Sequence, residues 1–204
     1  MSRTRLPGSI EPALNALYTL KPVPLPAAIA ILGLPGVGKT RLACGLAAAL
    51  LDRGEAALVV HTDVLKVTAR ALDEAASGIL RGPGFAGDLA AKAACMHPIL
   101  AAHVVKARRD GYSVVIEGTL ALGLRAEDAV YVLLEVDETE RRRRVGNKHA
   151  SAVRTLADCD LAPYAAALMQ SLPPSTLRLD AAAPPGALVT RALDWIRDSW
   201  HYAA

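Results

Sequence analysis

Ala27-Ala28-Ile29-Ala30-Ile31-Leu32-Gly33-Leu34-Pro35-Gly36-Val37-Gly38-Lys39-Thr40 is the stretch that decides the fold. Its first part is apolar without alternation, which reads as a strand covered on both faces, as in a parallel sheet. Its second part, Gly33 to Thr40, fits the pattern GxxxxGK[ST]. A glycine-rich turn of this kind lets successive backbone N–H groups converge on an anion. The helix expected after it adds the positive end of its dipole. Lys39 supplies a cation and Thr40 a hydroxyl for a hard metal ion. Strand, turn and helix in immediate succession are the context in which this pattern cradles nucleotide phosphates. Gly33, Leu34, Pro35, Gly36, Val37, Gly38, Lys39, Thr40 and Arg41 are therefore the candidate nucleotide-binding residues.

Outward from this stretch, strands and helices alternate. Residues 10–20 read as a short helix, and a proline-rich connector leads to the strand at 27–32. Beyond the loop, 39–53 has helical spacing of Leu42, Leu46, Ala49 and Leu50, with Gly54 as its stop. A second apolar strand, 56–61, ends at Thr62-Asp63. The spacing predicts a helix over 64–80, a glycine loop over 82–87, and a long helix over 88–109 that Pro98 should kink or split. A third strand spans 112–116 and closes on Glu117-Gly118. A fourth spans 129–136. Helical character covers 137–145 and resumes through Gln170. A fifth strand, 176–179, precedes a last helix at 187–200. This alternation predicts a parallel sheet with helices on both faces. The domain division expected is an extension at 1–26 and one domain at 27–204.

The bulk composition agrees with one folded domain. The chain has 204 residues, of which 52% are hydrophobic and 21% charged, enough apolar surface for a sizeable core. A net charge of +3 with one phenylalanine argues against a nucleic-acid partner, which would want a basic stripe interleaved with aromatics. The cysteines, Cys44, Cys95 and Cys159, form no CxxC pair, so neither a disulfide framework nor a zinc site is expected. No apolar run is long enough to span a membrane and no secretory signal is present, so a cytoplasmic, reducing location is the expectation.

The loop resembles the Walker A motif of the P-loop NTPase and kinase superfamily. Asn147-Lys148-His149-Ala150 begins like a guanine-reading NKxD element but has alanine where aspartate is needed. His61-Thr62-Asp63-Val64-Leu65-Lys66 is similar to the DxxR element after the second strand of adenylylsulfate kinases and 2-phosphoglycerate kinases. Here Lys66 takes the place of arginine and gives a point charge instead of a bidentate fork. Ser113-Val114-Val115-Ile116-Glu117-Gly118 is similar to the IEG element of 2-phosphoglycerate kinases. Gly84-Phe85 followed by Asp88 resembles a loop of adenylylsulfate kinases. These resemblances imply a three-layer α/β/α sandwich with five parallel strands in the order 2-3-1-4-5. They also imply a small-molecule kinase that uses ATP and Mg²⁺, with a phosphoryl acceptor as its partner. The alternative is a P-loop switch or accessory protein that hydrolyses nucleotide without a small-molecule acceptor. The sequence does not indicate an oligomeric state.

Several residues then acquire candidate roles. Asp63, at a strand's C-terminal edge, is the candidate general base for an acceptor hydroxyl, with a magnesium-bound water or a helix N-cap as alternatives. Glu117 is a candidate for magnesium through water or for substrate. Lys66 and Arg70, four apart on a helix, are candidates to clamp an anionic acceptor, or else belong to a solvated face. Among Arg141-Arg142-Arg143-Arg144, following Asp137-Glu138-Thr139-Glu140, Arg141 and Arg144 share a face and are the pair expected to meet the triphosphate. The others read as partners of the acidic run. The resemblance to such kinases also implies a lid around 138–160, with Lys148 and Arg154 as weaker candidates in it, and a turn after Asp180 that borders the adenine.

Overall fold

The structure is a computed structural model that describes residues 28–82, 87–147 and 159–201. The expected N-terminal extension and its helix at 10–20, Phe85, Lys148, Arg154 and much of the lid lie outside the described residues. The element order is β1 (Ala28–Leu32), α1 (Lys39–Leu51), β2 (Ala57–His61), α2 (Thr62–Leu72), α3 (Glu74–Ile79), α4 (Leu89–Asp110) and β3 (Ser113–Glu117). A 3-10 turn (Thr119–Gly123) follows, then β4 (Val130–Glu135), α5 (Glu138–Gly146), α6 (Ala162–Ser171), β5 (Leu177–Asp180) and α7 (Pro185–His201).

The strands form one five-stranded parallel sheet in the order β2-β3-β1-β4-β5. Strand β1 lies at its centre, with every residue buried. Its side chains alternate between faces, as the pleat requires. Ala28, Ala30 and Leu32 pack with Met96, Leu100 and Leu168 on one side. Ile29 and Ile31 pack with Leu42, Leu46 and Ile196 on the other. The result is a P-loop-type α/β/α sandwich, with the loops that follow the strands gathered along one edge of the sheet.

Three local outcomes differ from the sequence reading. The helix expected over 64–80 is divided at Asp73, whose extended backbone breaks α2 and whose carboxylate accepts from the Ala75 and Ala76 N–H groups to start α3. Helix α4 runs unbroken through Pro98. Pro98 and Ala94 are both exposed, so water can satisfy the carbonyl that proline leaves unpaired, while Met96 and Leu100 anchor the helix on either side. The 3-10 turn after Glu117-Gly118 carries no strong period in the sequence. It is held by the burial of Leu120 and Ala121 and by Leu124 at its end.

Candidate active site

The phosphate loop joins β1 to α1. Gly36 and Gly38 have φ of 92° and 106°, a conformation that side-chain-bearing residues rarely adopt. At Gly36 a Cβ would come within 2.4 Å of Val145 Cγ2, so α5 packs closely on the loop. At Gly38, which caps α1, a Cβ would meet nothing within 4 Å, leaving open space beside the helix N-terminus. Lys39 Nζ reaches back to the Leu34 carbonyl at 3.1 Å, holding its ammonium over the loop. This arrangement fits a triphosphate.

Three strand and helix ends meet beside it. Thr40 donates to Glu117 Oε1 at 3.1 Å, and His61 Nδ1 lies 2.7 Å from the same oxygen. Sheet register explains the meeting, because Glu117 is the Cα partner of both Ile31 on β1 and His61 on β2. Glu117 is buried, while Thr40 is exposed. A hydroxyl and a carboxylate oxygen in contact form a hard-donor pair that suits Mg²⁺ carried in with a nucleotide. Gly118 is required next, since a Cβ there would fall 2.0 Å from Thr62 Oγ1. His61 was read only as the end of a strand. Its signal in the sequence would have been its position opposite Glu117, which needs the register to be known.

Asp63 stands in the first turn of α2, one residue inside the cap position held by His61. It is exposed and makes no hydrogen bond or ion pair among the described residues. Capping therefore does not account for it. Its charge is felt by Tyr164 on α6, whose phenol is hydrogen-bonded with Thr119 and pushed up to about 12, chiefly by burial. Thr119 and Tyr164 thus meet from two elements, within the field of the Asp63 charge. Neither Thr119 nor Tyr164 had any motif to announce it.

The arginines of α5 divide. Arg141 has no exposed surface. Its Nε and Nη2 donate to the Glu138 carboxylate at 2.6 and 2.7 Å, and Nη1 approaches the Pro35 carbonyl at 3.4 Å. Enclosed with Val145 on the stripe that packs against the loop, it braces the loop from behind instead of lining the cleft, where it had been expected beside Arg144. Arg144 bridges. It donates to the Val37 carbonyl at 3.2 Å and the Ala181 carbonyl at 3.0 Å, with Glu140 holding its Nε. Gly36, Gly38, Arg41, Arg143, Arg144 and Ala181–Pro185 line a cleft of about 530 Å³ on this side of the loop. Glu138 is drawn down to about 2, first by its hydrogen bond from Arg141.

Lys66 and Arg70 do not act together here. Arg70 is exposed, whereas Lys66 is buried and donates to the Gly82 carbonyl at 2.9 Å. Lys92 of α4 is buried as well, and burial first, then the charge of Lys66, lowers its basicity. Lys92 was passed over in the sequence, although it is the single Asp, Glu, Lys or Arg between Asp88 and Lys106, and an isolated charge among alanines is a readable signal.

No protein-family model matches the chain, and no curated protein matches it in sequence. Its fold is similar to that of a gluconokinase from Sinorhizobium meliloti 1021, with a TM-score of 0.50 and 18% identity over 88% of this chain and 98% of that one. It is similar also to an APS kinase of Mycobacterium tuberculosis solved with AMPPNP and APS, with a TM-score of 0.53 and 18% identity over 86% of this chain and 99% of that one. These likenesses establish the P-loop kinase-type fold. Among the described residues no helix is long and apolar enough to cross a membrane.

Proposed function

We propose that this chain is an ATP- and Mg²⁺-dependent phosphotransferase acting on a small anionic acceptor, in the manner of 2-phosphoglycerate or adenylylsulfate kinases. The observation that carries the reading is Asp63. It is an exposed carboxylate with no hydrogen bond or ion pair among the described residues, two residues beyond His61, which lies 2.7 Å from the same Glu117 oxygen that Thr40 reaches. A nucleotide-hydrolysing switch has no need of a second, open carboxylate there. Both fold neighbours are kinases of small molecules by name, and one was solved with APS bound.

In this reading the amides of the loop and Lys39 bind the β- and γ-phosphates. Thr40 and Glu117 would hold Mg²⁺, directly or through water, and the ion supplies charge neutralisation on the phosphate oxygens. Asp63 takes the proton of the acceptor hydroxyl as the new O–P bond forms. The bond from the γ-phosphorus to the β–γ bridging oxygen breaks, and its electron pair leaves with ADP. Arg144 steadies the loop and the base-side turn at once. Arg141 keeps the loop in shape, and residues 138–160 serve as the lid.

The test is incubation with ATP, Mg²⁺ and a panel of phosphorylated and hydroxylated metabolites, with ADP release followed. Release that depends on one acceptor is the expected result. Equal release with every acceptor and with none would replace this reading by the switch.

A further inference from the structure

The cleft of about 530 Å³ beside the phosphate loop is lined by Gly36 and Gly38 of the loop and by the turn Ala181–Pro185 that follows β5. A second cavity against the loop, lined by Leu34, Val37 and Met169, is about 120 Å³, below the range of ordinary ligand pockets. A nucleotide held by the loop therefore extends its base into the larger cleft and meets the turn. Every N–H group of that turn is already spent. Ala181 N–H donates to the Glu135 carbonyl at 2.6 Å, and Ala183 N–H to the Asp180 carbonyl at 3.1 Å. Ala182 N–H donates to Asp180 Oδ1 at 2.9 Å. Pro184 and Pro185 have no N–H to offer. The carbonyls are less engaged. Ala181 accepts from Arg144 and Pro184 from Leu188 N–H, whereas those of Ala182 and Ala183 accept nothing among the described residues. Alanine and proline side chains add no polar group. The turn thus presents hydrogen-bond acceptors and no donor.

We infer that this turn selects the nucleobase by its exocyclic amine, and that Asp180 makes it selective by taking up the Ala182 N–H. The amine of adenine carries two donor hydrogens, which suit the open carbonyls of Ala182 and Ala183. Hypoxanthine has an oxygen in the place of that amine. An acceptor set against acceptors gives up water and gains no bond. Asp180 is exposed, so its carboxylate does not fill the core, and its Oδ1 closes a tight Asx turn on Ala182. Arg41 and Arg143 also line the cleft, but they come from α1 and α5, the elements that hold the phosphate loop, and not from the turn. Arg143 is moreover held by Glu140 at 2.6 and 2.7 Å. The selection rests on the nucleotide reading of the loop and gives its choice of base a physical ground.

The experiment is calorimetric titration of ADP and of IDP, each with Mg²⁺, into the full chain. ADP is expected to bind about tenfold tighter than IDP, or more. Asp180→Ala frees the Ala182 N–H as a donor for the hypoxanthine oxygen and is expected to bring that ratio to about threefold or less. Asp180→Asn keeps an oxygen acceptor in the same place and is expected to keep the wild-type ratio. A turn that is merely loosened weakens both nucleotides and leaves their ratio, so the ratio is the readout. Equal binding of ADP and IDP by the wild type overturns the selection, which is the result if Arg41 or Arg143 serves the base, while the nucleotide site itself still stands. An unchanged ratio in Asp180→Ala overturns the role of Asp180. Should that variant not fold, Asp180→Asn decides, because a ratio lost there shows that the charge and not the acceptor sets the choice. If neither nucleotide binds, the phosphotransferase reading falls and the selection with it.

Discussion

The two halves of the cleft are built differently. The nucleotide half is mostly main chain: consecutive residues from Gly33 to Thr40, the N-terminus of α1, and α5 packed against the loop through Arg141 and Val145. The half proposed for the acceptor is mostly side chain: Asp63 and Lys66 from α2, Thr119 from the 3-10 turn and Tyr164 from α6. The first half recognises what all nucleoside triphosphates share and can be fixed by backbone geometry. In the proposed reading the second recognises one acceptor, and side chains from separate elements can be changed one at a time. Substitutions in the two halves should therefore separate nucleotide binding from acceptor use.

The largest effect is expected from Lys39→Ala. Loss of the ammonium held over the loop should lower turnover on the order of 10³-fold and weaken ATP in an equilibrium titration. Asp63→Asn should cost turnover on the order of 10²-fold, with ATP affinity unchanged. Turnover and ATP affinity falling together in Asp63→Asn would erase the division between the halves. Unchanged turnover would remove Asp63 from catalysis.

The same division explains what was legible in the sequence. The apolar run before Gly33 and the glycines of the loop act locally, so their strand, turn and helix could be read directly, and the alternation of elements then gave the sheet. Glu117 could be singled out because it ends β3, and Asp63 because it follows β2 at the start of α2, since strand ends lie at the cleft edge in such sheets. Lys92 and Tyr164 lie within helices, and what surrounds them depends on how α4 and α6 pack. Arg141 was misplaced for a similar reason. Helical spacing put it with Arg144, but only packing decides which part of that face is covered by the loop.

Arg141 gives a smaller, structural test of the nucleotide half. Glu138→Gln removes the charge paired with a guanidinium that has no exposed surface. Breaking a fully buried pair costs about 3–5 kcal/mol, and the half-exposed Glu138 brings the expected loss to about 2 kcal/mol. The melting temperature should fall by roughly 4–8 °C. The pH dependence has a fixed sign. Glu138 is held at about 2 in the folded chain, below its unfolded value. Its contribution is present above that unfolded value and is lost as pH falls toward 2. Wild type should lose stability over that acid range more steeply than Glu138→Gln. Parallel acid curves would show that the pair does not brace the loop.

The smallest effect belongs to the seam between the halves, where His61 on β2 holds Glu117 on β3. His61 makes its contact through Nδ1, and an asparagine amide can occupy the place of Nδ1, whereas a glutamine amide falls nearer that of Nε2. Removal of a group that orients a metal-linked carboxylate typically costs 10- to 100-fold in metal affinity. Thr40 also holds Glu117, so the expected loss for His61→Ala is at the low end, about tenfold in the Mg²⁺ concentration needed for half-maximal turnover. His61→Asn should recover most of that loss and His61→Gln little of it. A general disturbance of β2 would affect all three variants alike and would alter acceptor and ATP dependence too. If Mg²⁺ dependence stays at the wild-type value in His61→Ala, then Thr40 and the strand alone orient Glu117, and the seam belongs wholly to the nucleotide half.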